Sequence, residues 1–226
     1  MRIGAWVTER SVKPDRITTG NESLMAFGGQ FARARLSEPR GQRLRLLRSF
    51  LTSPKRVGAV APTSRHTVRA TLDMAPLPQA SCVVELGAGT GPYTREILRR
   101  LPTEGRLVSF EIDPALAGAL ARDMTDPRLT VVAESALNLE AHLDGRRPDV
   151  IVSALPLTSL PAAVRAEILA VARRVLADDG VMLVLQYSPF MQRALELSFG
   201  SVERRLSPLN LPPAVLFACR SAKAAS

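Results

Sequence analysis

Apolar and polar positions follow two different periods along most of this 226-residue chain. Short runs rich in Val, Leu and Ile, typical of buried parallel strands, alternate with longer stretches in which apolar residues recur at helical spacing. Strands are predicted at 82–86, 106–111, 129–133, 149–154, 181–187, 201–206 and 214–219, and helices at 92–101, 114–124, 136–142, 161–176 and 189–198, after a first helix capped by Ser64 that runs to Met74. This alternation predicts an α/β fold with a seven-stranded, mostly parallel sheet and helices on both faces.

The first predicted strand runs directly into a glycine-rich turn. Residues 83–86 are followed by Gly87, Ala88, Gly89, Thr90 and Gly91, after which a helix is predicted. Glycine allows positive φ angles and lets a ligand approach the backbone without meeting a Cβ atom. The segment therefore predicts a nucleotide-like ligand at the start of the helix.

The spacing of this turn differs from that of a dinucleotide-binding motif. It reads Glu-x-Gly-x-Gly-x-Gly from Glu85 rather than Gly-x-Gly-x-x-Gly. In this it resembles motif I of the class I S-adenosylmethionine-dependent methyltransferases, which have a Rossmann-like fold. S-adenosylmethionine has no pyrophosphate, but its ammonium and sulfonium favour a nearby carboxylate such as Glu85. The resemblance implies that S-adenosylmethionine is the cofactor.

The ends of the next two strands supply further predicted cofactor residues. Glu111 ends the second strand about 20 residues after the turn, where a carboxylate accepts hydrogen bonds from ribose hydroxyls, and Ile112 follows it. After the third strand, methyltransferases commonly have Gly-Asp-Ala, whose Asp contacts the adenine amino group. Here the corresponding residues are Glu134, Ser135 and Ala136. Either Glu134 or Ser135 is predicted to make that contact.

The net charge of +9 is concentrated at the beginning of the chain. Residues 1–70 contain fourteen Lys and Arg against four Asp and Glu, whereas residues 71–226 contain sixteen against seventeen. Such a basic arm binds a polyanion, either nucleic acid or an anionic membrane surface, and charge alone does not choose between them. We predict a mobile lead-in at 1–21, a basic arm at 22–62 and a methyltransferase domain at 63–226.

Within the arm, residues 41–52 predict an amphipathic helix. Leucines and a phenylalanine gather on one side at 100° per residue, and arginines occupy most of the other. A helix packed on the protein core is the more common arrangement for such a pattern. The absence of acidic residues from Pro39 to Ala70 favours instead a helix in a lipid headgroup layer. The predicted membrane-binding residues are Arg45, Leu47, Arg48, Phe50 and Leu51.

The loop after the fourth strand is where methyltransferases acting on nitrogen place the acceptor. Its sequence from Ser153 is Ser-Ala-Leu-Pro-Leu, and Ala154 is predicted to contact the cofactor. Many nucleic-acid amino methyltransferases have Asn or Asp, Pro, Pro and an aromatic residue here. Because this chain lacks both the polar group that binds a base amine and the aromatic ring that stacks on it, a flipped base is disfavoured as substrate.

Four runs together resemble the bacterial phospholipid N-methyltransferases. They are Phe-Leu-Thr-Ser-Pro-Lys-Arg-Val-Gly-Ala-Val-Ala-Pro-Thr-Ser at 50–64, Val-Val-Glu-Leu-Gly-Ala-Gly-Thr-Gly at 83–91, Ala-Leu-Pro-Leu at 154–157 and Gln-Tyr-Ser-Pro at 186–189. The resemblance covers about residues 42–219. It implies stepwise methylation of phosphatidylethanolamine towards phosphatidylcholine, and a relation to ribosomal RNA adenine dimethyltransferases. These motifs do not separate phosphatidylethanolamine from ornithine lipid.

The chemistry of methyl transfer to an amine suggests which residues act on the acceptor. Tyr187, at the end of the fifth strand, is predicted to orient the amine and to favour methylated ammonium through cation–π contact, together with Leu155 and Pro156 of the acceptor loop. The residues that flank the loop before the domain are predicted to hold the lipid phosphate: Lys55, Arg56, Gly58, Ser64 and Arg65.

Composition bounds the remaining possibilities. No apolar run is long enough to span a bilayer, and no signal peptide is evident, so we expect a cytoplasmic monomer bound peripherally to the inner face of the membrane. Cys82 and Cys219 lie in strand-like runs and are predicted to be buried thiols. With only two histidines, no metal site is expected, and nucleic acid is not expected as a partner. An RNA amino methyltransferase and a cofactor-binding module without catalysis are the alternatives.

Overall fold

The computed structural model describes residues 63–221. The predicted lead-in at 1–21 and arm at 22–62 therefore lie outside the described residues. The helices are α1 (Arg65–Leu72), α2 (Pro92–Arg100), α3 (Pro114–Asp123), α4 (Ala162–Val175) and α5 (Gln192–Phe199). The strands are β1 (Cys82–Leu86), β2 (Arg106–Phe110), β3 (Leu129–Val132), β4 (Val150–Ser153), β5 (Val181–Gln186), β6 (Gly200–Ser207) and β7 (Ala214–Ser221).

The strands form one sheet in the order β3-β2-β1-β4-β5-β7-β6. Strands β1 to β5 pair in parallel, whereas β7 is inserted antiparallel between β5 and β6. The predicted seven-stranded, mostly parallel sheet is confirmed. Strand order reverses between β1 and β4, which opens a crevice at the carboxyl ends of the strands, where ligands bind in doubly wound folds.

Two predicted helices differ from the observed ones. Residues Ala136–His142 form a 3-10 helix, and Pro189–Met191 form a 3-10 turn that leads into α5. Both segments are short and follow a serine whose hydroxyl caps the first turn, and tight 3-10 winding suits such short connections. The α1 cap is confirmed, because Ser64 Oγ accepts a hydrogen bond from the Thr67 amide at 3.1 Å.

Two apolar layers cover the sheet. Helices α1 and α2 pack on one face, and α4 and α5 pack on the other. Cys82 and Cys219 are buried and free, as predicted, and burial raises the pKa of both thiols, that of Cys219 to about 12. Within residues 63–221, the helices are too short or too polar to cross a membrane.

A chain of hydroxyl groups fastens α1 to neighbouring elements. The Thr67 hydroxyl shares a hydrogen bond of 2.7 Å with Ser207 at the end of β6, and the Thr71 hydroxyl shares one of 3.0 Å with Tyr93 on α2. All four side chains are buried. The backbone amide of Ser64 donates to Asn210 Oδ1 at 3.0 Å, which binds the start of α1 to the β6–β7 loop.

These contacts place the start of the described domain at one edge of the sheet. We call it the carboxyl edge, by which we mean the side of the sheet formed by the strand ends: β1 to β6 end there and β7 begins there. Both the crevice between β1 and β4 and the Ser64 attachment point lie on it.

Candidate active site

A cavity of about 240 Å³ opens at the carboxyl edge between the ends of β1, β2, β3 and β4. Its wall combines the glycine turn, two acidic side chains and several apolar side chains. The lining residues are Gly87, Gly89, Phe110, Glu111, Ile112, Leu116, Glu134, Ser135, Ala136, Ala154, Leu155, Pro156, Leu160 and Ile168. Most of the predicted cofactor and acceptor-loop residues are thus brought together in one place.

The glycine turn forms one wall of this cavity. The amides of Gly87 and Ala88 both donate to the Phe110 carbonyl, at 2.8 and 3.1 Å, which fixes the turn over the end of β2. Gly89 has a φ of 55°, and a Cβ atom built there would meet no atom within 4 Å. Since Gly89 lines the cavity, that open space is available to a ligand. A bare backbone beside an open cavity fits the adenosyl and amino acid parts of S-adenosylmethionine.

Gly91 has a different role from the one predicted. It does not line the cavity but caps the amino terminus of α2 with a φ of 80°. A Cβ atom there would collide with Met124 and would lie 2.5 Å from Leu120 Cδ1, at the end of α3. The third glycine of the motif therefore allows α2 and α3 to pack closely, and the prediction that it approaches the cofactor is corrected.

Glu111 is held rigidly at the mouth of the crevice. Its Oε2 accepts from the Gly89 amide at 2.8 Å, and its Oε1 accepts from the Asp113 amide at 3.0 Å. The side chain is only 9% exposed and lines the cavity. Because each carboxylate oxygen has two acceptor sites, Glu111 retains the capacity to accept hydrogen bonds from a ribose diol.

Glu85 lies beneath the turn rather than in the cavity. It is fully buried, and its Oε2 accepts from the hydroxyls of Thr94 and Ser109, both at 2.7 Å, while its Oε1 has no partner among the described residues. Burial raises its pKa to about 6. Strand alternation turns it to the α1 and α2 face, so its position differs from the predicted contact with the cofactor. It fixes α2 to β1 and β2 through Thr94 and Ser109.

Glu134, Ser135 and Ala136 all line the cavity after β3. Glu134 accepts from Asn138 Nδ2 at 2.8 Å and lies 3.3 Å from His142 Nε2, and the Asn138 hydrogen bond, followed by that from His142, lowers the pKa of its carboxyl. Ser135 is buried and caps the following 3-10 helix by accepting from the Leu137 amide. Both candidates for the adenine contact are therefore held in place.

The acceptor loop faces the glycine turn across the cavity. A Cβ atom on Gly87 would lie 2.9 Å from Leu155 Cδ2, which shows how closely the two walls approach. The Leu155 carbonyl accepts a hydrogen bond of 2.8 Å from Gln186 Nε2 on β5. Gln186 is 1% exposed and was not among the predicted site residues, although it opens the Gln-Tyr-Ser-Pro run.

Tyr187, in contrast, does not line the cavity. Adjacent strand residues point to opposite faces, and the cavity wall contains side chains from the α4 side of the sheet. Strand alternation places Tyr187 on the same face as Tyr93, and it is 36% exposed; burial and, to a smaller extent, Tyr187 raise the pKa of the Tyr93 phenol. Its predicted role in orienting the amine is not supported by this position.

The predicted lipid-binding residues fall into two groups. Lys55, Arg56 and Gly58 lie outside the described residues, as do all five predicted membrane-binding residues of the arm. Ser64 and Arg65 are described and lie at the start of α1, beside the β6–β7 loop and not in the cavity. Arg65 is exposed. Over the described part of the chain, no cluster of three His, Cys, Asp or Glu side chains is arranged to hold a metal ion.

Comparisons with known proteins agree with this geometry. The methyltransferase domain family matches residues 83–180. An ornithine lipid N-methyltransferase from Singulisphaera acidiphila is 32% identical over 182 residues, covering 78% of this chain and 95% of the relative. A ribosomal RNA small subunit methyltransferase A from Kineococcus radiotolerans is 35% identical over 107 residues, covering 45% of this chain and 34% of that protein.

A solved structure has a similar fold. The N-methyltransferase NodS from Bradyrhizobium japonicum, in complex with S-adenosylhomocysteine, superimposes with a TM-score of 0.60 over 80% of this chain and 98% of that chain. Its sequence is 16% identical, so the likeness concerns the fold.

The sheet order, the glycine turn and the cavity define a class I S-adenosylmethionine-dependent methyltransferase. Its methyl donor is S-adenosylmethionine. Because the match to the S. acidiphila protein extends over nearly the whole relative, the chain belongs to the N-methyltransferase family that includes that ornithine lipid enzyme.

Proposed function

We propose that this protein transfers methyl groups from S-adenosylmethionine to the amine of a membrane aminolipid, with ornithine lipid as the first candidate substrate. The observation that carries the proposal is the 32% identity to an ornithine lipid N-methyltransferase over 95% of that relative. The acceptor loop supports it, because Ala154, Leu155 and Pro156 offer no side-chain amide or aromatic ring for a nucleic acid base.

Phosphatidylethanolamine is the second candidate substrate. The runs at 50–64, 154–157 and 186–189 resemble the phospholipid N-methyltransferases that act on it. Both lipids carry a primary amine beside the membrane surface, so the same reaction serves either one.

The residues of the cavity are suited to positioning. When bound, S-adenosylmethionine supplies a methyl carbon already activated by its sulfonium. The protein then has to bring a neutral amine to that carbon in line with the bond that breaks. Glu111 and the backbone at Gly89 would hold the cofactor, and Gln186 fixes the acceptor loop through the Leu155 carbonyl. Leu116, Leu160 and Ile168 line the cavity with apolar surface, which limits the entry of water.

We also propose that the enzyme works as a monomer attached to the inner face of the cytoplasmic membrane. The basic composition of residues 1–70 supports attraction to anionic lipids, each Lys or Arg near such a surface contributing about 1 kcal/mol. The predicted amphipathic helix at 41–52 would add apolar contact.

Transfer of a labelled methyl group tests the proposed reaction. The full chain is incubated with methyl-labelled S-adenosylmethionine and with vesicles that contain ornithine lipid, phosphatidylethanolamine or neither, and separately with total RNA. We expect label in ornithine lipid, and Gly89→Val serves as the inactive control. Label in phosphatidylethanolamine alone would select the second candidate, and label in RNA alone would refute a lipid substrate.

A further inference from the structure

Large apolar side chains are exposed mainly at one part of the carboxyl edge. Seven such side chains are exposed within residues 63–221, and five of them belong to the turn after β5, the end of β6 and the β6–β7 loop. Tyr187 is 36% exposed, and the other four are far more so: Phe190, Leu206, Leu209 and Leu211, with exposed fractions of 87%, 72%, 67% and 79%. We call these four the apolar rim.

Strand pairing brings the members of the rim to the same edge. Gln186, the last residue of β5, pairs with Val215 of β7, which pairs in turn with Leu206 of β6. The turn that contains Phe190 and the loop that contains Leu209 and Leu211 therefore continue from adjacent strand ends. The cavity opens at the same edge, between the ends of β1 and β4.

The loop holds its leucines outward. Asn210 is 3% exposed, and its Nδ2 donates to the Pro212 carbonyl at 2.8 Å while its Oδ1 accepts from the Ser64 amide. With Asn210 fixed inward, Leu209 and Leu211 on either side are left in contact with solvent. A loop that exposes leucines on both sides of a buried asparagine is typical of a surface that meets an apolar partner.

The charges around the rim fit an anionic lipid surface. Acidic residues are few in this region: none occurs in the described segments 63–72, 186–195 and 204–221, and Glu196 and Glu203 lie immediately outside them, Glu203 forming an ion pair with Arg205 at 2.7 Å. Arg65, Arg193, Arg204 and Arg205 are exposed in or beside them. Arginines around exposed leucines match a bilayer, with anionic headgroups above its acyl chains. Nucleic acid would satisfy the arginines but would leave the leucines in water.

The covalent connection to the basic arm also supports an anionic bilayer as the partner. Ser64 is bound to Asn210, so the segment that precedes residue 63 joins the domain beside the rim. That segment carries most of the excess positive charge and the predicted amphipathic helix.

We propose that the apolar rim inserts into the boundary between headgroups and acyl chains of an anionic bilayer. This orients the carboxyl edge towards the membrane and places the mouth of the cavity at the level of the lipid amine. The purpose of this orientation rests on the proposed function. Insertion of the rim itself is tested without measuring methyl transfer.

The first test is sedimentation of the full chain with vesicles of phosphatidylethanolamine and phosphatidylglycerol in equal amounts. Leu209→Glu combined with Leu211→Glu should weaken binding by at least about tenfold, because two inserted leucines become charged. Leu197→Glu is the matched control. Leu197 is 81% exposed, but it lies on α5 more than one helical turn away from the carboxyl edge. The binding of this control should equal that of the wild type. Equal binding by the double variant would overturn the proposal.

The second test reports insertion directly and does not depend on folding of a charged variant. The single tryptophan is replaced by Trp6→Phe, and a new one is introduced by Leu209→Trp. Vesicles should shift its fluorescence to the blue, and brominated acyl chains should quench it. The control Trp6→Phe with Leu197→Trp should show neither change. If the Leu209→Trp emission is already blue-shifted in buffer and is not quenched by the lipid, the rim is covered by the chain itself and the proposal is wrong.

These readouts also separate the two proposals. Quenching without methylation of either lipid would refute the proposed function but support insertion of the rim. Methylation of a vesicle lipid with no quenching would retain the function and refute the rim.

Discussion

The two halves of the carboxyl edge have opposite character. Around β1 to β4, the edge is concave and acidic, with Glu111 and Glu134 on the wall of the cavity. Around β5, β7 and β6, it exposes leucines, a phenylalanine and arginines, and the acidic side chain of β6, Glu203, is ion-paired with Arg205. One sheet thus presents a small-molecule site and an apolar, basic surface side by side.

This contrast separates two functions of the edge. The first half is held by short hydrogen bonds between backbone and carboxylate, such as that from the Gly89 amide to Glu111. The second half is bound to the start of α1 through the hydrogen bond from Ser64 to Asn210. Changes in the first half should therefore act on cofactor affinity, and changes in the second should act on the approach of the lipid.

The largest expected effect is that of Gly89→Val on cofactor binding. A side chain there would occupy the cavity, so the affinity for S-adenosylmethionine should fall by at least about 100-fold, or about 2.7 kcal/mol. The domain should stay folded despite the left-handed strain of a valine at a φ of 55°, because no protein atom lies within 4 Å of the added Cβ. Titration calorimetry measures the affinity and circular dichroism the fold.

Gly91→Val is the matched comparison for this variant. It should destabilise the domain by about 2–4 kcal/mol, because the new side chain combines left-handed backbone strain with collisions against α3. Thermal denaturation measures this. If Gly91→Val lost affinity without losing stability, the third glycine would belong to the cofactor site after all.

Glu111→Ala should weaken cofactor binding by about 1.5–3 kcal/mol. It removes the acceptor predicted for the ribose and also releases the Gly89 amide. Glu111→Gln retains an acceptor for that amide and should lose less affinity. The same calorimetry applies, and equal affinity in wild type and Glu111→Ala would exclude this carboxylate from the site.

Glu85 should make stability depend on pH. Its pKa is about 6 in the folded protein against an ordinary value of 4.5, so the folded state binds the proton more tightly. The free energy of unfolding should therefore fall by about 2 kcal/mol from this group as pH rises from 4.5 through 6. Chemical denaturation of wild type and Glu85→Gln across this range isolates the effect, since the variant cannot ionise there. Parallel pH profiles would contradict it.

The smallest effects are expected for substitutions of Gln186 and of Tyr187. Gln186→Met should lower kcat by about tenfold, because the Leu155 carbonyl loses its hydrogen bond and the acceptor loop loses its fixed position. Tyr187→Ala should change kcat by less than about threefold, since the ring lies outside the cavity. Turnover on lipid vesicles measures both. A larger loss in Tyr187→Ala would restore the predicted role of its ring.

The fold and the cofactor could be predicted because they leave a periodic or spaced signal. Runs such as 181–185 are apolar at every position, which identifies strands buried on both faces. The glycine turn and Glu111 stand at strand ends, where doubly wound folds bind ligands. Leu160 and Ile168 left no such signal, because an apolar side chain lining a cavity has the same pattern as one in the core.

The differences between the predicted and the observed site have two physical causes. Strand alternation shows that Glu85 and Leu86, or Gln186 and Tyr187, point to opposite faces, but it does not show which face contains the cavity. The chemistry of an aromatic ring favours Tyr187 as the residue that orients the amine, whereas the structure brings Gln186 to the acceptor loop. For Gly91, the deciding contacts come from Leu120 and Met124, about 30 residues away in the chain, and spacing within a motif does not reveal them.

The hydrogen bond from Ser64 to Asn210 has a consequence for biosynthesis. It joins residues 146 positions apart, and β7 must also enter the sheet between β5 and β6. Since synthesis proceeds from the amino terminus, residues 1–64 are made long before Asn210, the hydrogen-bond partner of Ser64. The sheet is completed only when almost the whole chain has been made. The membrane attachment proposed for the basic arm would therefore have time to form before the active site folds.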